Sequence, residues 1–173
     1  MLATTKGAKN ATLVIRDSLR KHLHKIERAM STAIHKMVEA CRAGAHPPLI
    51  TRMPSGWAVM GQSQFLRGYS LLLPDPVVPH LNAMDAAARD RFLSDMGRLG
   101  DAVLAATDAL RINYAMFGNV EPALHAHVIP RYADEPEAMR AAHPWAYDWN
   151  AARQFDTQSD GQLLAMIRAL LNS

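Results

Sequence analysis

Cysteine, aromatic side chains and long apolar runs are all scarce in this sequence of 173 residues. Its single cysteine, Cys41, excludes an intramolecular disulfide framework and a zinc site built from several cysteines. The most apolar stretch, residues 68–81, is broken by three prolines, so we expect no transmembrane helix. The net charge is only +3, which argues against duplex nucleic-acid binding but suits a small anionic ligand.

The overall composition of the chain is that of a globular protein. Hydrophobic residues make up 49% of the chain and charged residues 20%, which excludes a disordered or low-complexity chain. The first residues lack the apolar core of a secretory signal, so we expect a cytoplasmic protein. Residues 1–11 show no periodicity and are predicted to be a disordered tail, followed by one domain over residues 12–173.

A long first helix is predicted to begin near Asp17 or Ser18 and to end at Gly44. Apolar residues at steps of three and four place one stripe along it, formed by Leu19, Leu23, Ile26, Met30, Ile34, Met37 and Cys41. This stripe either covers a sheet or packs against a partner helix. A membrane role is not expected, because the opposite face is mixed in charge.

Strands and further helices follow in an order typical of a single α+β domain. A second helix is expected to be capped by Asn82, with Asp85 completing an acidic variant of the capping box, and a last helix by Ser159. Residues 131–156 are predicted to be irregular. Strand-like composition between turn signals predicts strands at Leu49–Arg52, Trp57–Gly61, Gly68–Leu73 and Arg111–Phe117, although the last of these alternates poorly. Alternation predicts a further strand at Leu124–Ile129. The expected architecture is an antiparallel sheet flanked by helices.

Two histidines, His125 and His127, alternate along the last predicted strand and so point to the same face of it. At the rise of a strand their Cα atoms lie about 6.5–7 Å apart. Such a pair can bind a metal, act as acid and base, or attack phosphorus as a nucleophile. A second pair, His22 and His24, falls on the predicted first helix, where residues two apart diverge, and is interpreted as exposed.

Other chemistry has weaker support in the sequence. A metal site would need a third and a fourth ligand, and the available residues lack diagnostic spacing, so no metal is predicted. Those residues are Asp75, His80, Glu121 and His143. There is no Gly-x-Ser-x-Gly elbow and no Walker or Rossmann loop, so neither a serine hydrolase nor a bound cofactor is expected.

Aromatic residues alternate near the C-terminus at Trp145, Tyr147 and Trp149. They either cover a nucleobase or pack under the last helix, and packing is the favoured interpretation. Cys41 lies on the apolar stripe of the first helix and is interpreted as a core thiol.

The segment Asn119–Arg131 resembles the signature of the histidine triad (HIT) family of nucleotide hydrolases and transferases. In that signature three histidines alternate with apolar residues, and Pro-Arg often follows. Counted back from the Pro-Arg pair, His127 falls on the third histidine and His125 on the middle one, while Ala123 stands at the first.

The resemblance extends upstream and covers residues 57–132. Gln64–Pro74 is similar to the family's strand that enters through a glycine and ends in a proline. Asp85–Leu110 is similar to the helix that precedes the triad. A HIT-like antiparallel sheet is therefore the expected fold, with the long N-terminal helix and the C-terminal segment added to it.

The resemblance also implies a mechanism. His125 would attack the α-phosphorus of a nucleotide and form a nucleotidyl-histidine intermediate that water resolves. His127 would bind the non-bridging oxygens or assist protonation of the leaving group. Asn119 would contact a phosphate or bridging oxygen. The remaining candidates for substrate binding are Gln62, Gln64 and Arg131.

Alanine at position 123 departs from the family pattern. In the family the backbone carbonyl at this position orients the nucleophile. Alanine keeps that carbonyl but lacks the imidazole side chain. Loss of one supporting group costs on the order of 10²–10³ in rate, so a slower enzyme, an altered substrate and a binding protein all fit. His80 and His143 are candidates to compensate. His127 favours hydrolysis, because members of the galactose-1-phosphate uridylyl type carry glutamine there.

The expected function is hydrolysis of a nucleotide phosphoanhydride or phosphoramidate, and the resemblance implies dinucleoside polyphosphates as substrates and a homodimer as the assembly. A nucleotide-binding or regulatory protein with little turnover is the alternative. A third hypothesis is an interaction protein that uses its first helix and whose histidines are structural. We expect neither duplex nucleic acid nor a membrane as a partner.

Overall fold

The computed structural model describes residues 31–173. The chain divides into two compact units, Met1–Thr32 and Ala33–Ser173, and all the elements named below belong to the second. The predicted tail at residues 1–11 and most of the predicted first helix lie outside the described residues. A single domain over residues 12–173 therefore stays a prediction.

The described chain contains five strands and four α-helices. They are α1 (Ala33–Arg42), β1 (Leu49–Met53), β2 (Gly56–Met60), β3 (Ser70–Pro74), α2 (Ala86–Ala106), β4 (Arg111–Ala115), β5 (Ala126–Arg131), α3 (Glu137–Arg140) and α4 (Thr157–Leu171). Short 3₁₀ turns lie at Leu81–Ala83 and Pro144–Ala146. The five predicted strands are confirmed, with ends that differ by no more than two residues.

All five strands form one antiparallel sheet in the order β1-β2-β3-β5-β4. The first three strands follow one another along the chain, and α2 then carries the chain to the edge strand β4. β5 returns between β3 and β4, so it is buried at every residue. The α+β fold with an antiparallel sheet and flanking helices is confirmed.

Alternation along the strands divides the core between the two faces of the sheet. On one face, α2 and α4 pack through Phe92, Leu99 and Ile167 against residues that include Ala126 and Val128 of β5. The opposite face carries a second core cluster, formed by Ile34, Val38, Cys41, Val59, Leu66, Tyr69, Leu71, Leu73, Ala123 and Ile129. This second face is the one that presents the histidines.

The described part of the first helix covers the sheet. In α1 the residues Ile34, Val38 and Cys41 are each at most 2% exposed and belong to the second core cluster. Cys41 is therefore a core thiol, as predicted, and burial raises its pKa to about 11. Two roles were considered for the apolar stripe, covering the sheet or packing against a partner helix. These three residues cover the sheet and are not available to a partner chain.

Two predicted helix starts are wrong. The cap of α2 is Asp85, whose carboxylate accepts a hydrogen bond from the backbone N–H of Ala88, and not Asn82. The cap of α4 is Asp156, which accepts from the backbone N–H of Ser159. In both cases an aspartate provides an anionic acceptor at the positive end of the helix. The predicted cap lies three residues before the observed one in α2 and three residues after it in α4.

The loop before β3 turns at Gly68, whose φ of +85° is a left-handed conformation that glycine adopts without a steric penalty. Gln64 holds this loop from inside. Its amide nitrogen donates to the carbonyls of Gly61 and Tyr69, and its amide oxygen accepts from the N–H of Gly68. The loop thereby delivers Tyr69 to the start of β3 in a fixed position.

A buried ion pair holds the segment that follows β5. Arg131 donates to both carboxylate oxygens of Glu135 at 2.8–3.1 Å, and its remaining N–H groups reach backbone carbonyls, including that of Met139. Glu135 also accepts from the Tyr147 hydroxyl at 2.6 Å and from the N–H of Tyr132. This cluster ties residues 132–147 to the end of the strand that carries the histidines.

Within residues 31–173, we find no helix that combines the length and the apolarity needed to cross a membrane.

We expect Glu135→Gln to destabilise the fold by about 3 kcal/mol at pH 7, because it leaves the Arg131 guanidinium buried without a counter-charge. Burial alone would raise the pKa of Glu135, but hydrogen bonds from Arg131, Tyr147 and Tyr132 outweigh it and hold that pKa below its usual value. The stabilisation is thus present at neutral pH and is lost as the pH falls through this lowered pKa.

Urea unfolding of the wild type and the variant at pH 7 and near pH 3.5 measures both effects. The matched control is Glu137→Gln, the same chemical change at an exposed position in the same segment, where the expected change is within about 0.5 kcal/mol. Equal losses from the two variants would contradict the structural role of the ion pair.

Candidate active site

The two histidines lie side by side on the second face of the sheet. His127 belongs to β5 and His125 immediately precedes that strand, and their ring centroids are 4.7 Å apart. His125 is 8% exposed and His127 6%. Between them, Ala126 points to the opposite face and packs against α2, as strand alternation requires.

The backbone carbonyl of Ala123 determines which nitrogen of the neutral His125 ring carries the proton. The Nδ1 atom of His125 lies 2.8 Å from this carbonyl oxygen. A carbonyl can only accept, so Nδ1 carries a proton, and in the neutral ring the lone pair is then on Nε2. The carbonyl at position 123 thus contacts the His125 ring although alanine stands there. The role of His125 as the nucleophile stays a prediction.

His127 is held by a different partner. Its Nδ1 atom lies 2.6 Å from the hydroxyl oxygen of Tyr69, and the two rings stack with centroids 5.9 Å apart. Its Nε2 atom is buried and has no hydrogen-bond partner among the described residues. Burial, together with the neighbouring His125, lowers the pKa of His127 to about 3, so this ring is neutral across the physiological range.

Two cavities meet at His125. The first, about 310 Å³, is lined by Pro79, His80, Leu81, Asn82, Met116, Phe117, Gly118, Ala123, Leu124 and His125. The second, about 370 Å³, is lined by Phe117, Asn119, Val120, Glu121, His125, His127, His143, Trp145 and Trp149. Among these described lining residues there is no lysine or arginine. His80 and His143, the two candidates to compensate for Ala123, lie in different cavities.

Aromatic rings form one wall of the second cavity. The ring of Trp145 packs edge-on at 4.8 Å from both His127 and Phe117. Trp149 lies 5.2 Å from Trp145 and continues the wall toward Tyr69. Trp145 is 42% exposed and Phe117 41%, so both are available to a ligand at the mouth of the cavity. Tyr147, which lies between the two tryptophans in the chain, donates to Glu135 and so links this wall to the Arg131–Glu135 ion pair.

Glu121 fixes the turn that leads to the site. One of its carboxylate oxygens accepts from the N–H of Ala33 at 3.0 Å, and the other accepts from the N–H of Ala123 at 3.3 Å. The carboxylate therefore connects the first residue of α1 to the residue whose carbonyl holds His125. No group of three or more potential metal ligands is found among residues 31–173, and Glu121 belongs to this turn.

The other predicted substrate contacts are only partly brought together. Asn119 is exposed and lines the second cavity with both histidines. Gln62 is exposed and lines neither cavity. Gln64 and Arg131 are buried in the loop and the ion-pair cluster described above, away from the cavities, so their predicted contact with substrate is replaced by a structural role.

Several site residues were missed or misread in the sequence. Trp145 and Trp149 line the cavity, whereas packing under the last helix was the favoured interpretation. Phe117 and Tyr69 were not singled out at all. Tyr69 lies two residues before Leu71, which is the register partner of His127, so its side chain shares a face of the sheet with that histidine. The sequence carries no signal for this register.

No family model matches the sequence, and no curated protein does. Solved structures do match, at low sequence identity. A histidine triad protein from Marinobacter aquaeolei VT8 superposes with a TM-score of 0.65 at 16% identity, over 82% of this chain and 97% of that chain. A histidine triad protein from Bradyrhizobium japonicum gives a TM-score of 0.63 at 18% identity, over 71% of this chain and 89% of that one.

An archaeal protein gives the same result. A hypothetical histidine triad nucleotide-binding protein from Sulfolobus tokodaii strain7 superposes with a TM-score of 0.63 at 13% identity, covering 79% of this chain and 91% of that chain. Identities this low carry information about the fold alone. The chain therefore has the fold of the histidine triad proteins.

Proposed function

We propose that the protein hydrolyses a nucleotide phosphoanhydride or phosphoramidate through a nucleotidyl-histidine intermediate on His125. The observation that carries this proposal is the hydrogen bond between His125 Nδ1 and the Ala123 carbonyl. It leaves the Nε2 lone pair free in a ring that lines both cavities. A neutral imidazole whose other nitrogen is held by an acceptor is a competent nucleophile near pH 7.

The reaction has two steps. In the first, His125 Nε2 forms a bond to the α-phosphorus, the bond from phosphorus to the leaving oxygen or nitrogen breaks, and its electron pair and a proton from solvent stay with the leaving group. In the second, water attacks phosphorus and gives up a proton to solvent, the bond between phosphorus and His125 breaks with its electron pair returning to Nε2, and a nucleoside monophosphate is released. The Ala123 carbonyl stabilises the positive charge that the ring carries between the two steps.

His127 acts as a neutral partner of the phosphoryl group. Because its pKa is lowered to about 3, it does not carry a positive charge at neutral pH. Of the two roles that the resemblance implies, hydrogen bonding to phosphate oxygens is therefore better supported than delivery of a full proton to the leaving group. Asn119 lines the same cavity and is our candidate for a further contact to these oxygens.

Dinucleoside polyphosphates are the substrate class that we propose. Two cavities share His125 in their lining, which suits a substrate with a sizeable group on both sides of the reacting phosphorus. Trp145 and Phe117 supply aromatic surface for a base at the second cavity. Because no lysine or arginine is among the described lining residues, we expect stacking and hydrogen bonds to supply most of the affinity.

A nucleotide-binding or regulatory protein with little turnover is the second candidate. The observation that favours it is the loss of a polar side chain at position 123, where only a buried methyl group remains. The same cavities and the same aromatic wall would serve binding without reaction.

The proposal includes a homodimer in the cytoplasm. Leu110 and Tyr114, at the edge strand β4, are 63% and 43% exposed and offer apolar surface for an interface. The free thiol of Cys41 is compatible with a reducing compartment.

We expect His125→Ala to abolish covalent labelling and to lower turnover by about 10³-fold or more, because it removes the nucleophile. The full chain is mixed with diadenosine or diguanosine polyphosphates, quenched without acid, and examined by intact-mass spectrometry for an adduct of one nucleoside monophosphate. The control His46→Ala, outside both cavities, should keep the adduct. Nucleotide binding without adduct or product would contradict hydrolysis and favour the binding protein.

We expect His127→Gln to lower kcat by roughly 10²-fold, by the same factor at pH 5 and at pH 8. The lowered pKa of His127 keeps the wild-type ring neutral at both values, so no ionisation of this side chain enters the comparison. The measurement is kcat for the two proteins at each pH. A loss that is several-fold larger at pH 5 would show that a charged His127 takes part.

Trp145→Ala should weaken binding of AMP by about tenfold, since stacking of a base on an aromatic ring contributes about 1–3 kcal/mol. Isothermal titration of the two proteins measures the change. The control is Leu170→Ala, which removes an exposed apolar side chain from α4 that lines neither cavity. Equal affinities for wild type and Trp145→Ala would contradict a stacking role.

A further inference from the structure

Among the described residues, His127 Nε2 is the one buried side-chain nitrogen or oxygen without a hydrogen-bond partner. Leaving a buried polar atom unpaired is unfavourable, so an isolated case needs an explanation. The two nitrogens of an imidazole point in divergent directions, and Nδ1 is held by Tyr69, so Nε2 faces away from that contact. The ring lines the second cavity together with His125.

The contact between Tyr69 and His127 allows two proton placements. If Nδ1 carried the proton and donated to the tyrosine oxygen, the tyrosine proton would have no acceptor and the Nε2 lone pair would also be unpaired. If Tyr69 donates to Nδ1, both atoms of this contact are paired and only Nε2–H is left over. The second placement leaves fewer groups unpaired, because the contact with His127 Nδ1 is the one hydrogen bond that the Tyr69 hydroxyl makes among the described residues.

We infer that Tyr69 is a positioning residue that fixes His127 with its proton on Nε2, so that this N–H is a permanent donor to an anionic phosphate oxygen of the substrate. The inference rests on the proposed function for the identity of the acceptor. It gives the two histidines opposite roles: His125 presents a lone pair at Nε2 and His127 presents an N–H. A phosphoryl group needs both, one at phosphorus and one at an oxygen.

The surroundings of Tyr69 hold its hydroxyl in place. Tyr69 is 3% exposed, and its ring lies so close to Gly61 that a Cβ at this glycine would be 2.2 Å from it. The rings of Phe65 and Trp149 pack against it with centroids at 4.8 Å and 5.4 Å. Burial raises the pKa of Tyr69, so the phenol keeps its proton. The hydroxyl therefore remains a donor with one direction available to it.

The direct test is ¹⁵N NMR of the full chain labelled at histidine, with the His127 signals assigned by their loss in His127→Gln. In the wild type we expect a protonated Nε2 and an unprotonated, hydrogen-bonded Nδ1 between pH 5 and pH 8. In Tyr69→Phe, the Nδ1 shift should move toward that of a free ring nitrogen. Tyr132→Phe is the matched control, because it removes a hydroxyl that bonds to the Arg67 carbonyl instead.

AMP is the probe for the acceptor. Its addition should shift the Nε2–H signal of His127, and Tyr69→Phe should weaken AMP binding and lower kcat by about three- to tenfold each, with Tyr132→Phe unchanged. A wild-type proton on Nδ1, or an Nε2–H signal that AMP at saturation leaves unmoved, overturns the inference.

The two proposals fail in different ways. The NMR measurement uses the free protein and a non-reacting nucleotide, so it does not depend on turnover. Expected shifts without any hydrolysis would remove the hydrolase proposal and leave the role of Tyr69 intact. Hydrolysis together with a proton on Nδ1 of His127 would support the hydrolase proposal and overturn the role of Tyr69. The wild-type measurement decides the tautomer even where Tyr69→Phe fails to fold.

Discussion

The hydrogen bond from His125 Nδ1 to the carbonyl of residue 123 determines what the rest of the site can do. It fixes the ring orientation and leaves one nitrogen with a lone pair. The acceptor is a main-chain atom, so it depends on the path of the backbone and not on the side chain at 123. Glu121 secures this path, since it accepts from the N–H of Ala123 and from the first N–H of α1. The fold therefore preserves the orienting contact although the histidine of the signature is absent.

The positions of the strands could be predicted from the sequence, because alternation and turn residues are local signals. The pairing of His125 and His127 on one face followed from the same local period. The roles of Gln64 and Arg131 could not be predicted, because a polar side chain takes whichever partner the folded chain brings to it. Gln64 satisfies backbone groups of its own loop, and Arg131 pairs with Glu135 four residues on, in a segment without a helical pattern.

Tyr69 and the tryptophans illustrate a different limit. Tyr69, immediately before β3, contacts His127 on the neighbouring strand β5. That contact depends on the register of β3 against β5, which local periodicity does not determine. Trp145 and Trp149 lie in irregular structure whose position is set by the buried Arg131–Glu135–Tyr147 cluster. Their contribution to the cavity is thus a property of tertiary structure that composition and spacing do not carry.

Phe117 is shared by the two cavities, with His125 as the other common lining residue. An occupant of one cavity that moves this ring changes the shape of the other. Such an effect is reciprocal by thermodynamic linkage, because whatever one ligand does to the affinity of a second ligand, the second does to the first. The two ends of a substrate, or the two products of its cleavage, would then not bind independently. Release of one product would change the affinity of the site for the other.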